Sequence, residues 1–163
     1  MVIMGIDPGT ATIGAAVIEQ ANGVIHPLAI GVVTTKPEHD APLRLKQAYD
    51  AICALMDKYE PDVLVTERLF FSKNITTAMS VGRTIGVILL AAAEREIPWV
   101  EYTPMQVKQA VVGYGSADKK QVQYMVTRLL NLQETPKPDD AADAAAVALC
   151  HAQSGWYDRL REK

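Results

Sequence analysis

Short apolar runs alternate with turn signals over the first part of the chain. VIMGI (2–6), IGAAVI (13–18) and LAIGVVT (28–34) are separated by DPGT and ANG, which predicts three strands in an antiparallel meander. From Pro42 to Tyr59 the period changes, and Leu45, Ala48, Ile52, Leu55 and Met56 recur at helical spacing until Pro61 stops the pattern. DVLVTE (62–67) reads as a buried strand, 76–96 as a long helix, and WVEY (99–102) as a further strand. Helices over 104–111 and 117–131 follow, and after the breaker TPKP an Ala-rich helix runs over 139–152. A meander followed by strand–helix crossovers predicts an α/β protein: a mixed five-stranded sheet, antiparallel at first and then parallel, with helices on both faces. The expected domain covers residues 1–152, and 153–163 is a short polar tail, a helix end or frayed terminus.

At 163 residues, 49% hydrophobic and 21% charged, the chain has the composition of a single globular domain rather than of a disordered or fibrous one. The apolar stretch Ile85–Ala93 is too short to span a membrane, and Met1 leads straight into a strand pattern, so neither insertion nor export is expected. Cys53 and Cys150 each sit alone in a helical pattern, which argues against a disulfide or thiolate–zinc framework and suits a reducing cytoplasm. Net charge is −3 but uneven. Residues 68–133 hold eight Lys and Arg against four Asp and Glu, whereas 1–67 hold four against nine. The basic middle could be an ordinary solvated surface or a footprint for a polyanion.

The acids carry more chemistry. Asp7 closes the first strand on the face of Ile3 and Gly5, and Gly5 leaves room beside it. An Asp in a DPG sequence is commonly just a turn residue. Glu67, however, ends another apolar strand in the same way, sharing a face with Val63 and Val65. Were these strands parallel neighbours, both carboxylates would emerge at the carboxyl end of the sheet, where α/β ligand sites lie. Like charges so placed either raise one pKa or recruit a cation.

The last helix adds Asp139, Asp140 and Asp143, with Asp143 on one face with either earlier residue. Asp139 has a ready role as N-cap. Asp143 lies in an Ala-rich, close-packing stretch with no Lys or Arg within a turn, where a carboxylate needs a partner or a metal. All-oxygen ligands select hard cations, Mg²⁺ or Mn²⁺. His26, His39 and His151 complete no zinc pattern and read as loop or surface residues. A carboxylate cluster holding two divalent ions suits phosphodiester hydrolysis, which makes a metal-dependent nuclease the leading reading.

Four segments, in this order, carry a family resemblance: GIDPGT (5–10), TERLFFSKN (66–74), QVKQAVVGYGSADKKQVQYMV (106–126) and DDAADAAAVA (139–148). Together they resemble the RuvC family of Holliday junction resolvases over residues 1–152. The resemblance implies an RNase H-like fold and a homodimer that nicks opposing strands of a four-way DNA junction. It also implies Mg²⁺- or Mn²⁺-dependent attack by water, leaving a 5′-phosphate and a 3′-hydroxyl. Carried over by position, the family's acidic quartet falls on Asp7, Glu67, Asp140 and Asp143, which leaves Asp139 as the cap.

Phe70 matches an aromatic that the family places near the cut, where a ring can stack on an unpaired base. Lys108 and Lys119 match basic positions of the motifs, and Lys73, Arg83 and Lys120 join them as candidate phosphate contacts. Ala78, Gly82 and Gly86 recur at four-residue spacing on the second long helix. Glycine there is costly unless a backbone approaches closely, either the protein's own sheet or a second subunit. By family analogy a branch-migration complex of RuvA and RuvB is an expected partner.

Three rival readings are weaker. An actin-like or sugar-kinase ATPase opens with a similar Asp-x-Gly-Thr hairpin, but by resemblance pairs two such domains and carries a second phosphate loop. A non-catalytic junction scaffold has no need of four convergent acids. Another RNase H-like nuclease, acting on RNA or a different branched DNA, is the runner-up, because the acids specify chemistry rather than substrate.

Overall fold

The computed structural model describes residues 1–68 and 75–161, with side chains over 1–68 and 78–154. Its strands are β1 (Val2–Asp7), β2 (Thr12–Ala21), β3 (Val24–Thr34), β4 (Val63–Glu67) and β5 (Trp99–Tyr102). Its helices are α1 (Ala41–Tyr59), α2 (Ile75–Ala93), α3 (Pro104–Val112), α4 (Lys119–Leu129) and α5 (Asp139–Arg161). The sheet order is β3-β2-β1-β4-β5. β1, β2 and β3 pair antiparallel, and β4 and β5 run parallel to β1. This is the expected mixed α/β sheet.

Strand alternation sorts the side chains into two cores. Ile3, Val63 and Val65 with Ala16 and Ile18 face α3, α4 and α5. Met4, Ile6 and Leu64 with Ile13, Ala15 and Val17 face α1 and α2. Glycine decides how near α5 comes to its face. A methyl on Gly5 would lie 2.9 Å from the N and Cβ of Ala148 and overlap the Ala144 carbonyl. One on Gly14 would overlap the carbonyl of Asp140. The room expected beside Gly5 is therefore filled by the α5 backbone, which meets the strands through buried Ala141, Ala144, Ala145 and Ala148.

Local signals set the helix ends. Asp40 caps α1, accepting from the Leu43 N–H at 3.1 Å, and Glu60 closes it in the left-handed region at φ 45°. Thr103 and Asp118 open α3 and α4 with capping boxes, so α4 begins at Lys119 rather than at 117. α2 stops at Ala93, short of the expected 96, because Glu96 takes φ 56° and turns the chain into β5. α5 runs on past the expected end near Ala152 as far as Arg161. No proline interrupts this stretch, the helix passes through Gly155, and the Ser154 hydroxyl donates to the Cys150 carbonyl at 2.7 Å within the helix. Cys53 and Cys150 are buried and free. Among the described residues no helix is long and apolar enough to cross a membrane.

The α2 glycines do not meet the sheet. Among the described residues a methyl on Gly82 or Gly86 would touch nothing within 4 Å, and Met79 and Leu90, each 54% exposed, stand on the same outward side.

Gly14→Ala forces β2 and α5 apart, and the strain of overpacking is about 1–3 kcal/mol. Urea denaturation of the variant should show a loss of that size; wild-type stability would contradict the close seating of α5.

Candidate active site

Asp7 and Glu67 end neighbouring parallel strands. The β1–β4 register pairs Gly5 with Val65 and Ile6 with Thr66, and one more step sets Asp7 level with Glu67. Both belong to the strand face covered by α5, because Ile3 and Val63 of that face lie in its core. Asp7 also pairs across β2 with Gly14, the residue against which Asp140 rests its carbonyl. The glycine contact that seats α5 thus places its first turn beside Asp7, with Asp140 and Asp143 toward the strand ends.

Electrostatics record the convergence. Burial, and then the charges of Asp143, Asp140 and Glu67, push the Asp7 carboxyl up to about 7, while Lys119 pulls the other way. Glu67 is raised by burial and by Asp143, with Lys108 opposing. The partner of Asp143 comes from another helix: Lys119 Nζ of α4 lies 3.0 Å from Asp143 and 3.2 Å from Asp139. The Lys119 ammonium loses some solvation there, and its bonds to the two carboxylates outweigh that loss and raise its pKa.

Asp139, expected as the cap, is instead the first residue of α5. Its carboxylate is held from α4 by Lys119 and by the Gln123 amide at 3.0 Å, which keeps it low in pKa. It is not among the charges that raise Asp7.

The donor set is oxygen only, and it concentrates negative charge on a carboxyl that water cannot fully solvate. Both properties fit a hard divalent cation. The Lys119 ammonium already supplies one positive charge at the rim. Among the described residues no three acidic, His or Cys side chains are yet gathered into a closed ligand set, so the acids converge in field before they converge on an ion.

The basic candidates divide. Lys108 and Lys119 act on the acids directly. Arg83 lies on the opposite side of the sheet, where it lines a notch with Thr10. Lys120 points away beside Val112 and Tyr124. Phe70 and Lys73 lie outside the described residues.

His26 is exposed on β3, and His39 sits in a turn against Gln47 at 2.9 Å. His151 is a correction to the surface reading. It is half-buried where α5 meets β5, its Nδ1 is 2.9 Å from the Tyr102 hydroxyl, and burial lowers its pKa. An Ala-rich helix lying this close to the sheet leaves its inner face no solvent.

Two contributors escaped the sequence reading. Gly14, in the run IGAAVI, is what admits α5. Arg44 of α1 holds the turn after Asp7: its Nη2 donates to the Thr10 carbonyl at 2.7 Å and its Nε to Thr35 Oγ1 at 2.9 Å. A glycine inside a strand pattern was the only available signal for the first.

Acids at the carboxyl ends of adjacent parallel strands, faced by a helix bearing two more, on a sheet ordered β3-β2-β1-β4-β5, define an RNase H-like nuclease. The model of the family described as "Crossover junction endodeoxyribonuclease RuvC" matches residues 3–151. The protein of that name from Desulforamulus reducens is 52% identical over 153 residues, 94% of each chain. That from Brevibacillus brevis is 51% identical over 162 residues, 99% of this chain and 98% of its own. Among solved structures, T. thermophilus RuvC in complex with Holliday junction substrate is similar at a TM-score of 0.91 and 36% identity, covering 97% of this chain and 96% of that one. The chain belongs to the RuvC family of crossover junction endodeoxyribonucleases.

Without metal, Asp7 should make stability fall as pH rises. Its folded pKa near 7 exceeds the ordinary 3.8, so the folded state holds a proton that the unfolded state releases. The cost is absent below pH about 4 and complete above about 7. In EDTA at pH 8, Asp7→Asn should be more stable than wild type by about 1–3 kcal/mol, at 1.36 kcal/mol per pKa unit reduced by screening. Its thermal midpoint should also lose most of the wild-type decline between pH 4 and 7. Parallel pH profiles for the two proteins would contradict the charge convergence.

Proposed function

We propose that this protein resolves four-way DNA junctions by paired, metal-dependent nicks, with Asp7, Glu67, Asp140 and Asp143 as the catalytic and metal-holding residues. The observation that carries the reading is the convergence of charge on Asp7 from three other carboxylates borne on β4 and α5. Membership of the family extends it to substrate, since a relative of nearly the same length has been seen bound to a Holliday junction.

In this scheme the four carboxylates hold Mg²⁺ or Mn²⁺, two ions per site. When bound, the ions supply Lewis-acid activation of the attacking water and charge stabilisation at the leaving oxygen. Water attacks the phosphorus in line, the P–O3′ bond breaks, and the strand is left with a 5′-phosphate and a 3′-hydroxyl. Asp7, with its raised carboxyl, is the group whose ionisation most needs the cation. Lys108 and Lys119, beside the acids, contact DNA phosphates, as do Lys120, Arg83 and Lys73 elsewhere on the chain. Phe70 stacks on an unpaired base at the crossover.

Two cuts call for two active sites, and a two-fold dimer matches a nearly two-fold junction. The outward face of α2 is the proposed dimer surface: Gly82 and Gly86 leave space that none of the described residues fills, with Met79 and Leu90 exposed beside them. The protein acts in the cytoplasm, where RuvA and RuvB are the proposed branch-migration partners.

Labelled four-way junction, linear duplex and RNA–DNA hybrid, each with Mg²⁺, Mn²⁺ or EDTA, test this on a denaturing gel. Paired symmetric nicks in the junction alone are expected, only with metal. Asp143→Asn should cut at least about a hundredfold more slowly while binding the junction normally, since it removes a ligand and no phosphate contact. Equal cutting of hybrid or linear DNA, binding without cuts in either metal, or unimpaired cleavage by the variant would contradict the proposal; unpaired nicks would contradict the dimer.

A further inference from the structure

On the side of the sheet opposite α5, the turn after Asp7 meets α1 and α2. A cavity of about 40 Å³ lies there, lined by Thr10, Arg44, Ser80, Arg83 and Thr84 among others. Among the described residues no carboxylate lines it. Among the described residues neither Arg44 nor Arg83 forms a salt bridge, whereas Arg68 is paired with Glu101 and Arg95 with Asp57. Two guanidinium groups brought toward one cavity without an acid repel each other, and an anion between them relieves the repulsion.

Arg44 is also held in place. Its Nε donates to Thr35 Oγ1 at 2.9 Å and its Nη2 to the Thr10 carbonyl at 2.7 Å, which the buried Thr35 hydroxyl also approaches as donor at 3.1 Å. The remaining donors of its planar fork are left for a ligand, in the geometry that suits phosphate oxygens. Arg83 stands on the exposed side of α2 as the second arm.

We infer that this notch seats one backbone phosphate of the DNA strand near the cut, gripped by Arg44 and Arg83. The inference rests on the junction-cleaving reading and adds a contact outside the acidic cluster. Location supports it: Thr10 is three residues beyond Asp7, at the same carboxyl rim of the sheet. Three residues of chain reach at most about 11 Å, so a strand passing this rim can meet both places. The seated phosphate therefore lies on the same strand, a few nucleotides from the scissile one. Because Arg44 grips Thr10 from the other side, the same residue ties DNA register to the turn that carries Asp7.

The test uses the full-length protein and four-way junctions carrying a single neutral methylphosphonate at each position within four nucleotides of the cut. Cleavage-blocking EDTA allows binding to be measured alone. One of these positions should weaken wild-type binding about fivefold or more, yet weaken Arg83→Ala no further. Arg83→Ala should also lower the slope of log binding constant against log salt by about 0.9, one phosphate's worth. Arg83 borders the α2 face proposed to meet a second subunit, so the variant is compared with the wild type at equal dimer content by size-exclusion chromatography; Arg44→Lys, retaining charge but not the fork, should show the same loss of position dependence. Equal sensitivity of wild type and Arg83→Ala at every position, or an unchanged salt slope, would overturn the notch while leaving the resolvase reading intact. Failure of the wild type to bind any four-way junction would instead overturn the proposed function.

Discussion

The site depends on how closely α5 lies on the sheet. Side chains normally hold a helix about 10 Å from a strand layer, but Gly5 and Gly14 remove the strand side of that spacer and a run of alanines removes the helix side. Backbone then meets side chain and carbonyl directly. The consequence is chemical as much as mechanical: the first turn of α5, with Asp140 and Asp143, is carried to the ends of β1 and β4, where Asp7 and Glu67 already point. The approach also explains why this face is so rich in alanine, since larger residues would lift the helix and disperse the acids.

Close packing creates an electrostatic problem that the basic residues only partly relieve. Four carboxylates gather in a partly buried place, and the largest burden falls on Asp7. Lys119 from α4 and Lys108 from α3 stand at the rim, the first lowering Asp7 and Asp139 and the second Glu67. Neither substitutes for a divalent ion, because a single ammonium cannot be shared among all the oxygens present. The same two helices that fill the core on this face thus present the lysines proposed to meet DNA phosphates, so packing, charge relief and substrate recognition share one set of elements.

Much of this was readable in the chain. Alternation in VIMGID and VLVTE put each terminal acid on a defined face, and the turn signals and crossovers implied that the two strands are neighbours. Helix boundaries were less readable where a cap or a left-handed residue decided them, as at Asp118 and Glu96. The α5 end was missed because Gly155 and the polar residues after it read as a helix stop, whereas the helix continues through them in the absence of a proline. The ion pair of Asp143 with Lys119 spans 24 residues of sequence, so local spacing could not show it. Choosing Asp140 over Asp139 needed the family motif. In the structure the two differ physically, since Lys119 and Gln123 draw the Asp139 carboxylate toward α4.

The most direct test of this account is to locate the metal itself. Crystals grown with Mn²⁺ and measured for anomalous scattering should show density between the ends of β1 and β4 and the first turns of α5, with Asp7 among the ligands and Glu67, Asp140 and Asp143 supplying the rest. Mn²⁺ held by Asp139, or at any place that leaves Asp7 uncoordinated, would contradict it.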